Sequence, residues 1–172
     1  VFAWPARMLA RAWAKLVEAR ITVTRCANLY GPGDLHWSRL VPNSCRRIAR
    51  GLPPEVHPGA WKYQREWLHV DDAVRAYILL AEKGVAGEAY NIGSGETATA
   101  GGVAIRLAEL GAGSTPIESD WQIDEIPAQE LCCDKIATLG WGAERELWEG
   151  MESTLHWYLD YAEKQAGRYV WT

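Results

Sequence analysis

A short strand that ends in polar side chains is the first feature of this sequence that could take part in chemistry. A β-branched run containing Ile21 and Val23 leads into Arg25, Asn28 and a turn at residues 30–33, which reads Tyr-Gly-Pro-Gly. Apolar β-branched residues favour strands, and Gly-Pro-Gly sequences favour turns. The pattern therefore predicts a strand that delivers polar side chains to a loop.

A pair of neighbouring carboxylates, Asp71 and Asp72, allows two interpretations. Paired carboxylates could perform acid–base chemistry or hold a metal ion. They also suit the first turn of a helix, where they cap free N–H groups and interact favourably with the helix dipole. We predict capping of a helix over residues 73–83 and assign no catalytic residue. The histidines and cysteines have no spacing typical of a zinc site, so no metal ligands are predicted.

A glycine pattern at residues 93–98, Gly-x-Gly-x-x-Ala, superficially fits a dinucleotide-binding turn. It follows a predicted strand, and Glu118 or Asp120 lies about twenty residues further on, where such motifs carry an acidic residue. However, Gly101 and Gly102 weaken the helix that should begin there. We therefore predict that this loop binds no cofactor.

Alternating strand and helix patterns predict an α/β fold with parallel strand pairing. The first helix is amphipathic, with Phe2, Leu9, Trp13 and Leu16 on one face. No linker or repeat interrupts residues 1–172, which predicts one domain. Further helices are predicted at 39–50, 73–83, 103–110 and 150–166, strands at 21–25, 67–70 and 89–92, an extended piece near 116–119, and an irregular loop or hairpin at 52–63.

Composition and charge argue against several classes of partner. The 172 residues are 48% hydrophobic and 23% charged, as in globular proteins, and the net charge of -4 gives no reason to expect nucleic acid or an anionic membrane surface. The apolar runs are too short to span a bilayer. The cysteines form no CxxC motif, so we expect free thiols in a reducing cytoplasm. These cysteines are Cys26, Cys45, Cys132 and Cys133.

Four motifs follow one another along the chain. They are RCANLYGPG at 25–33, REWLHVDD at 65–72, YNIGSG at 90–95 and LGW at 139–141. In this order they resemble the NAD-dependent nucleotide-sugar epimerases and dehydratases, the extended short-chain dehydrogenases. The segment GDLHWSRLVP at 33–42 is similar to the branch that contains CDP-glucose 4,6-dehydratases. The resemblance covers residues 1 to 165 and implies the C-terminal portion of that fold: part of a parallel Rossmann-type sheet and a small substrate-binding subdomain, without the N-terminal cofactor half.

The resemblance implies a diphosphate site at Arg65 and Asn28. Arginine suits this role because its planar guanidinium binds phosphate oxygens in pairs. Arg65 could instead be a surface arginine paired with Glu66 or a neighbour, and Asn28 could be a turn residue that bonds its own backbone.

The same resemblance places the segment 40–43, which includes Val41 and Asn43, beside the nucleotide base. His36, in the preceding loop, could line the same pocket or be simply solvated. These three residues complete the predicted substrate-binding set.

Three departures from the family put catalysis in doubt. The family's catalytic Tyr-x-x-x-Lys pair would fall about two residues before Val1 and at Ala3, and no tyrosine here has a lysine four residues later. The glycine-rich segment that holds NAD in the family would also lie upstream. Thirdly, no arginine lies between Arg106 and Arg145, where relatives carry a second phosphate-binding arginine.

Two functions follow as expectations. The chain could be the substrate-binding part of an NAD-dependent epimerase or dehydratase that a complementing N-terminal half makes active. It could instead be a stand-alone binding or interaction protein, with the alanine at the lysine position favouring this alternative. In both cases we expect a nucleotide-sugar ligand and no NAD bound by this chain alone. We also expect a homodimer or a hetero-assembly, because a strand edge and apolar faces would otherwise stay uncovered.

Overall fold

The structure, a computed structural model, describes residues 3–111, 113–120 and 126–165, with side chains omitted for 3–7 and 15. Over these residues it shows short parallel strands alternating with helices. The helices are α1 (Ala3–Leu16), α2 (Leu40–Ala49), α3 (Val70–Lys83), α4 (Ala100–Gly111), α5 (Asp134–Ala137) and α6 (Leu147–Gln165). The strands are β1 (Val23–Cys26), β2 (Asn28–Tyr30), β3 (Glu55–Val56), β4 (Gln64–His69), β5 (Ala89–Ile92), β6 (Thr97–Thr99), β7 (Ile117–Glu118) and β8 (Ala128–Gln129).

The strands form three small sheets with mostly parallel pairing. β1 pairs with β5, and β3 pairs with β7, both in parallel. β4 is the centre of the third sheet. Its C-terminal half runs parallel to β2, while its N-terminal half lies between antiparallel β6 and parallel β8. The α/β class and parallel pairing predicted from the sequence are confirmed.

Two main hydrophobic clusters lie on opposite sides of β4. Successive side chains of a strand point to opposite faces, so Trp67 enters one cluster and Leu68 the other. The Trp67 cluster is closed by α2, α4 and α6. The buried α6 side chains recur every three or four residues, as one helical face requires. They are Leu147, Met151, Leu155 and Tyr158.

Several element boundaries differ from the prediction. β4 begins at Gln64 rather than at residue 67, because β6 and β8 pair with its first residues. The segment 52–63 is not a hairpin: it contains β3 and a 3₁₀ turn at Pro58–Trp61, and β3 finds its partner in distant β7.

The glycine pair at the start of α4 does not delay that helix. α4 begins at Ala100 and runs through Gly101, although residue 103 was the predicted start. A Cβ at Gly101 would overlap the Trp61 ring, so the glycine allows close packing between α4 and the 3₁₀ turn. Tertiary contact thus outweighs the unfavourable helix propensity of glycine, about 1 kcal/mol.

The prediction that Asp71 or Asp72 caps α3 is wrong, although both carboxylates lie in the first turn of that helix. α3 begins at Val70, and its N-cap is His69, whose Nδ1 accepts a hydrogen bond from the N–H of Asp71 at 3.2 Å. Asp72 is 1% exposed and points away from the cap, pairing with the Arg75 guanidinium. Sequence could place both carboxylates in the first turn, but only the fold shows what Asp72 contacts.

Asp72 joins α3 to the loop that precedes α6. Its carboxylate accepts hydrogen bonds from the N–H groups of Glu144 (3.3 Å) and Arg145 (3.1 Å). Its backbone carbonyl accepts from the Trp141 indole at 3.2 Å. Burial acts to raise the pKa of Asp72, but the hydrogen bonds from Arg75, Arg145 and Glu144 outweigh it and hold that pKa below its ordinary value.

α1 carries an apolar face that no described part of the chain covers. Leu9, Trp13 and Leu16 are 69%, 54% and 75% exposed. Phe2, also placed on this face by the sequence pattern, lies outside the described residues. None of the helices described is long and apolar enough to cross a membrane. All cysteines are free thiols, as predicted.

We predict that Asp72→Asn lowers the free energy of unfolding by roughly 1.5–3 kcal/mol at pH 7, because the buried carboxylate that accepts from Arg75 and from two backbone N–H groups is replaced by a neutral amide. Arg75 keeps its second partner, Glu144. Urea unfolding measures the change. Asp71→Asn is the matched control: the Asp71 side chain is 56% exposed, so its loss should cost less than about 1 kcal/mol.

The contribution of Asp72 should also depend on pH. Since the folded state lowers the pKa of Asp72, this stability is present above the ordinary pKa of about 3.8 and is lost as the pH falls through the folded value. Equal unfolding free energies for the two variants would contradict this role of Asp72.

Candidate functional site

An open cleft lies where the C-terminal end of β1 and the start of β2 meet the first turn of α2. Its volume is about 450 Å³, within the range typical of small-molecule sites. Hydrophobic side chains form most of its wall, with one amide and one guanidinium among them. The lining residues are Ala27, Asn28, Leu29, Arg39, Leu40, Val41, Pro42 and Trp67.

Asn28 lies in this cleft at the start of β2. Its side-chain Nδ2 donates to the backbone carbonyl of Glu66 on β4 at 3.1 Å, which holds the amide in one orientation. This bond does not match the alternative in which Asn28 bonds its own backbone in a turn, because the acceptor lies 38 residues away in the sequence. The amide is therefore fixed by the sheet at the edge of the cleft.

Glu66 on β4 is a buried residue that holds neighbouring chain segments in place. Its side chain is fully buried, and its oxygens accept from the N–H of Gly95 (Oε1, 2.8 Å) and of Leu131 (Oε2, 2.8 Å). Sequence reasoning considered Glu66 only as a surface partner of Arg65. Neighbouring residues on a strand face opposite sides, so that ion pair does not form and Glu66 instead ties three chain segments together.

The glycine turn at 93–95 makes contacts within the protein. In dinucleotide-binding turns, backbone N–H groups face the phosphates. Here the Gly95 N–H donates to Glu66, and a Cβ at Gly93 would overlap the same carboxylate. Gly93 is thus needed for the close approach of the Glu66 side chain.

Arg65 lies on β4, two residues before Trp67 and on the same face. Its guanidinium Nη1 donates to the carbonyls of Gln64 (2.8 Å) and Ile126 (2.9 Å), and it lies over the Tyr63 ring at 5.6 Å. It does not belong to the lining of the cleft as described. Its phosphate-binding role stays a prediction.

The other predicted residues separate into two groups. Val41 is buried in the cleft wall at the start of α2. Asn43 lies on α2, and its Oδ1 accepts a hydrogen bond from the Arg46 guanidinium at 3.2 Å. His36 is exposed, with its Nδ1 2.9 Å from the Ser38 hydroxyl. Neither Asn43 nor His36 is among the residues lining the cleft, so their binding roles also remain predictions.

Arg39 is the cleft residue that sequence reasoning missed. It is the N-cap residue of α2, and its guanidinium pairs with Asp34 at 2.9 Å. The available signal was its position directly before the segment 40–43. Sequence order alone could not show that this side chain faces the cleft, because the loop before α2 has no regular period.

His69 is a buried residue at the C-terminal end of β4. It is 4% exposed and packs edge-on against the Tyr30 ring. Burial lowers the pKa of His69, although the Asp71 carboxylate at 3.5 Å opposes this effect. The ring must also be neutral at Nδ1 to accept the N–H of Asp71 as the cap of α3.

Comparison with known proteins agrees with the fold. The model of the NAD dependent epimerase/dehydratase family matches residues 6–93. Among individual relatives, dTDP-glucose 4,6-dehydratase from Streptomyces niveus is 33% identical over 159 residues, which is 89% of this chain and 46% of the relative. The corresponding protein of Haemophilus influenzae is 31% identical over 165 residues, 88% of this chain and 48% of the relative.

Solved structures show the same relationship. dTDP-glucose 4,6-dehydratase from Bacillus anthracis, in complex with NAD, superposes with a TM-score of 0.81 at 26% identity, over 92% of this chain and 50% of that one. UDP-glucose 4-epimerase from Thermotoga maritima, with UDP-glucose, has a TM-score of 0.81 at 28% identity, over 92% and 52%.

The chain belongs to the NAD-dependent epimerase/dehydratase family. Its relatives by sequence include several dTDP-glucose 4,6-dehydratases, in agreement with a dehydratase-like branch. It spans about half the length of the relatives that it matches. The family and fold predicted from the four motifs are confirmed.

We predict that His69 makes stability fall as the pH drops below about 6.5, the ordinary histidine pKa. Above that value both folded and unfolded states are neutral. Below it, the unfolded chain takes up a proton before the folded chain does, because the folded pKa is lowered, and unfolding becomes easier.

The test replaces His69 by asparagine, which caps helices well and does not titrate. Urea midpoints at pH 7, 6 and 5 should fall less steeply in His69→Asn than in the unchanged protein. His156→Asn, on the exposed side of α6, is the control and should leave the slope unchanged. Identical slopes in all three proteins would exclude His69 as the titrating group.

Proposed function

We propose that this chain is the nucleotide-sugar-binding part of an NAD-dependent epimerase or 4,6-dehydratase and does not catalyse by itself. The observation that carries the proposal is the cleft of about 450 Å³, which brings Asn28 and Val41 to one surface together with a cation. Membership of the family and the nucleotide-sugar ligands named in the structures of relatives support this substrate class.

The proposal that this chain does not catalyse by itself rests on the residues that it contains. Hydride chemistry in the family needs a tyrosine whose pKa a neighbouring lysine lowers. No tyrosine in these 172 residues is followed by a lysine at the fourth position. A tyrosine and a lysine from a complementing N-terminal half, on the same or another polypeptide, would have to face the cleft for turnover.

NAD binding is expected to need that N-terminal half as well. The dehydratase from Streptomyces venezuelae was solved with NAD bound, and this chain matches 49% of it. The one glycine turn here with a dinucleotide-like pattern already holds the Glu66 carboxylate. We therefore propose that this chain alone binds no NAD.

The test is calorimetric titration of this chain with CDP-, UDP-, GDP- and dTDP-hexoses. At least one should bind, and Arg65→Ala should weaken it by about tenfold or more if the guanidinium meets a phosphate, since hydrogen bonds to charged groups contribute roughly 1.5–3 kcal/mol. Arg106→Ala, an exposed pair with Glu109 on α4, is the matched control and should not change the affinity.

Failure of all four sugar nucleotides to bind would reject the proposed substrate class. Unchanged affinity in Arg65→Ala, with binding intact, would reject only the role of Arg65. Measurable affinity for NAD would overturn the interpretation of the turn at 93–95.

The alternative is a stand-alone, non-catalytic binding or interaction protein that forms a dimer. The exposed face of α1 favours it, since large exposed apolar patches mark interaction surfaces. β1 adds to this, because among the described residues only β5 pairs with it, and the other edge of β1 could accept a strand.

We predict a dimer at micromolar concentration, measured by light scattering. Trp13→Glu should shift the mass toward the monomer, because it places a charge in the apolar face of α1. Val85→Glu, which alters an equally exposed apolar residue after α3, is the control and should keep the dimer. A monomeric unchanged protein would contradict the dimer and leave the binding proposal to the titrations.

A further inference from the structure

Two adjacent thiols, Cys132 and Cys133, lie directly before α5. Cys132 is exposed and Cys133 is partly buried, and both are free. Neither is among the residues that line the cleft. An exposed thiol with a second thiol beside it is the arrangement in which a peroxide can oxidise the first and the second can then close a disulfide. The pair is therefore a candidate for redox chemistry that the proposed function does not use.

The two sulfur atoms make separate contacts in the reduced protein. The Cys132 thiol donates to Asp134 Oδ2 at 3.2 Å, and the Cys133 thiol donates to the carbonyl of Leu131 at 3.5 Å. One thiol thus bonds forward along the chain and the other backward. Burial raises the pKa of the Cys133 thiol, and the Glu66 carboxylate adds to this effect. The exposed Cys132 is therefore the thiol that a peroxide meets first.

The backbone of the segment 131–133 is held on both sides of the thiols. The N–H of Leu131 donates to Glu66 Oε2 at 2.8 Å, and the side chain of Asn91 donates to the carbonyl of Cys132 at 2.9 Å. The carbonyl of Cys133 accepts from two N–H groups of α5 at 3.1 Å. The thiol pair thus lies among hydrogen bonds that connect β4, β5 and α5.

A disulfide between Cys132 and Cys133 requires a change in this backbone. Consecutive Cα atoms lie about 3.8 Å apart, whereas disulfides usually join Cα atoms about 4.4–6.8 Å apart. Both thiols would also leave their present partners and turn toward each other. This change would weaken the hydrogen bonds of the Leu131 N–H and the Cys132 carbonyl. A disulfide strained in this way is readily reduced again by thiols.

We propose that Cys132 and Cys133 form a reversible redox switch, oxidised by a hydroperoxide, that releases the segment 131–133 from Glu66. First, the Cys132 sulfur attacks a peroxide oxygen. The O–O bond breaks, an S–O bond forms and water leaves, which makes Cys132 a sulfenic acid. The Cys133 sulfur then displaces this hydroxyl as a second water, and the S–S bond forms. Two thiols and one hydrogen peroxide thus give one disulfide and two waters, with two electrons passing from sulfur to oxygen.

The change would reach β4 through Glu66. This carboxylate is fully buried, and the Leu131 N–H is the described donor to its Oε2. A buried carboxylate that loses a donor destabilises the folded state. The Gly95 N–H, which donates to the other oxygen of Glu66, should sense the same movement. The switch needs no nucleotide, so it stands apart from the proposed function.

The experiment treats the purified chain with hydrogen peroxide, with and without later dithiothreitol. Two of the four thiols should disappear, with the loss of two hydrogen atoms from one peptide that contains residues 132 and 133, and should return with dithiothreitol. Mass spectrometry and thiol titration measure this. In the oxidised protein the urea midpoint should fall, and the amide NMR signals of Gly95 and Leu131 should shift.

Cys132→Ser and Cys133→Ser should each abolish the disulfide, the fall in urea midpoint and the amide shifts. Cys26→Ser is the matched control, since Cys26 is partly buried as Cys133 is but lies outside the pair, and it should respond as the unchanged protein does. If a serine variant fails to fold, alkylation of Cys132 in the folded protein before the peroxide replaces it and should leave Cys133 reduced.

Two results would overturn the proposal at its chemical step. They are a disulfide that joins other cysteines, and oxidation of Cys132 to sulfinic acid without any disulfide. A disulfide between Cys132 and Cys133 that leaves the urea midpoint and the Gly95 signal unchanged would overturn the release from Glu66.

Discussion

The candidate site depends on the hydrogen bonds that the buried carboxylate of Glu66 accepts. A fully buried carboxylate must have its oxygens satisfied, and here the N–H groups of Gly95 and Leu131 do so. The same residue offers its backbone carbonyl to Asn28. One position on β4 therefore links the glycine turn, the 131 segment and the amide in the cleft, and close approach at Gly93 makes this possible.

The two faces of β4 have different roles. One face is buried support, and the other belongs to the binding surface. Glu66 and Leu68 face the α3 side, where they are wholly buried, while Arg65 and Trp67 face the side of α2. This division follows from the two-residue period of a strand. It explains why adjacent charges of opposite sign, Arg65 and Glu66, do not pair.

α6 connects the two halves of the described structure. Its first turn is held by Glu96, whose Oε2 accepts the Leu147 N–H at 2.5 Å, and by Tyr30, whose hydroxyl donates to the Leu147 carbonyl at 3.2 Å. Asp72 fixes the loop just before it. Further along, Tyr158 reaches the Asp34 carbonyl and so supports the loop that carries the charge of Arg39. The packing of α6 therefore also helps to hold the loop that positions Arg39 at the cleft.

The sequence by itself determined the α/β class, the parallel pairing, the family and the approximate positions of the main helices and longer strands. These depend on local periodicity and on motifs that keep their order, and both are visible in one dimension. Of the residues that it proposed for substrate binding, Asn28 and Val41 line one cleft. Short strands such as β3 and β6 escaped notice, because two or three residues carry no period and their partners are distant.

Only the tertiary structure decided which polar groups meet. The sequence predicts that Asp72 caps its own helix and offers Glu66 as one alternative partner of Arg65, yet the fold buries both carboxylates against backbone N–H groups from distant loops. It also runs α4 through Gly101, because Trp61 occupies the space that a side chain would need. Such outcomes depend on long-range burial, and the need to satisfy buried charge and fill space is set by neighbours that sequence spacing does not reveal.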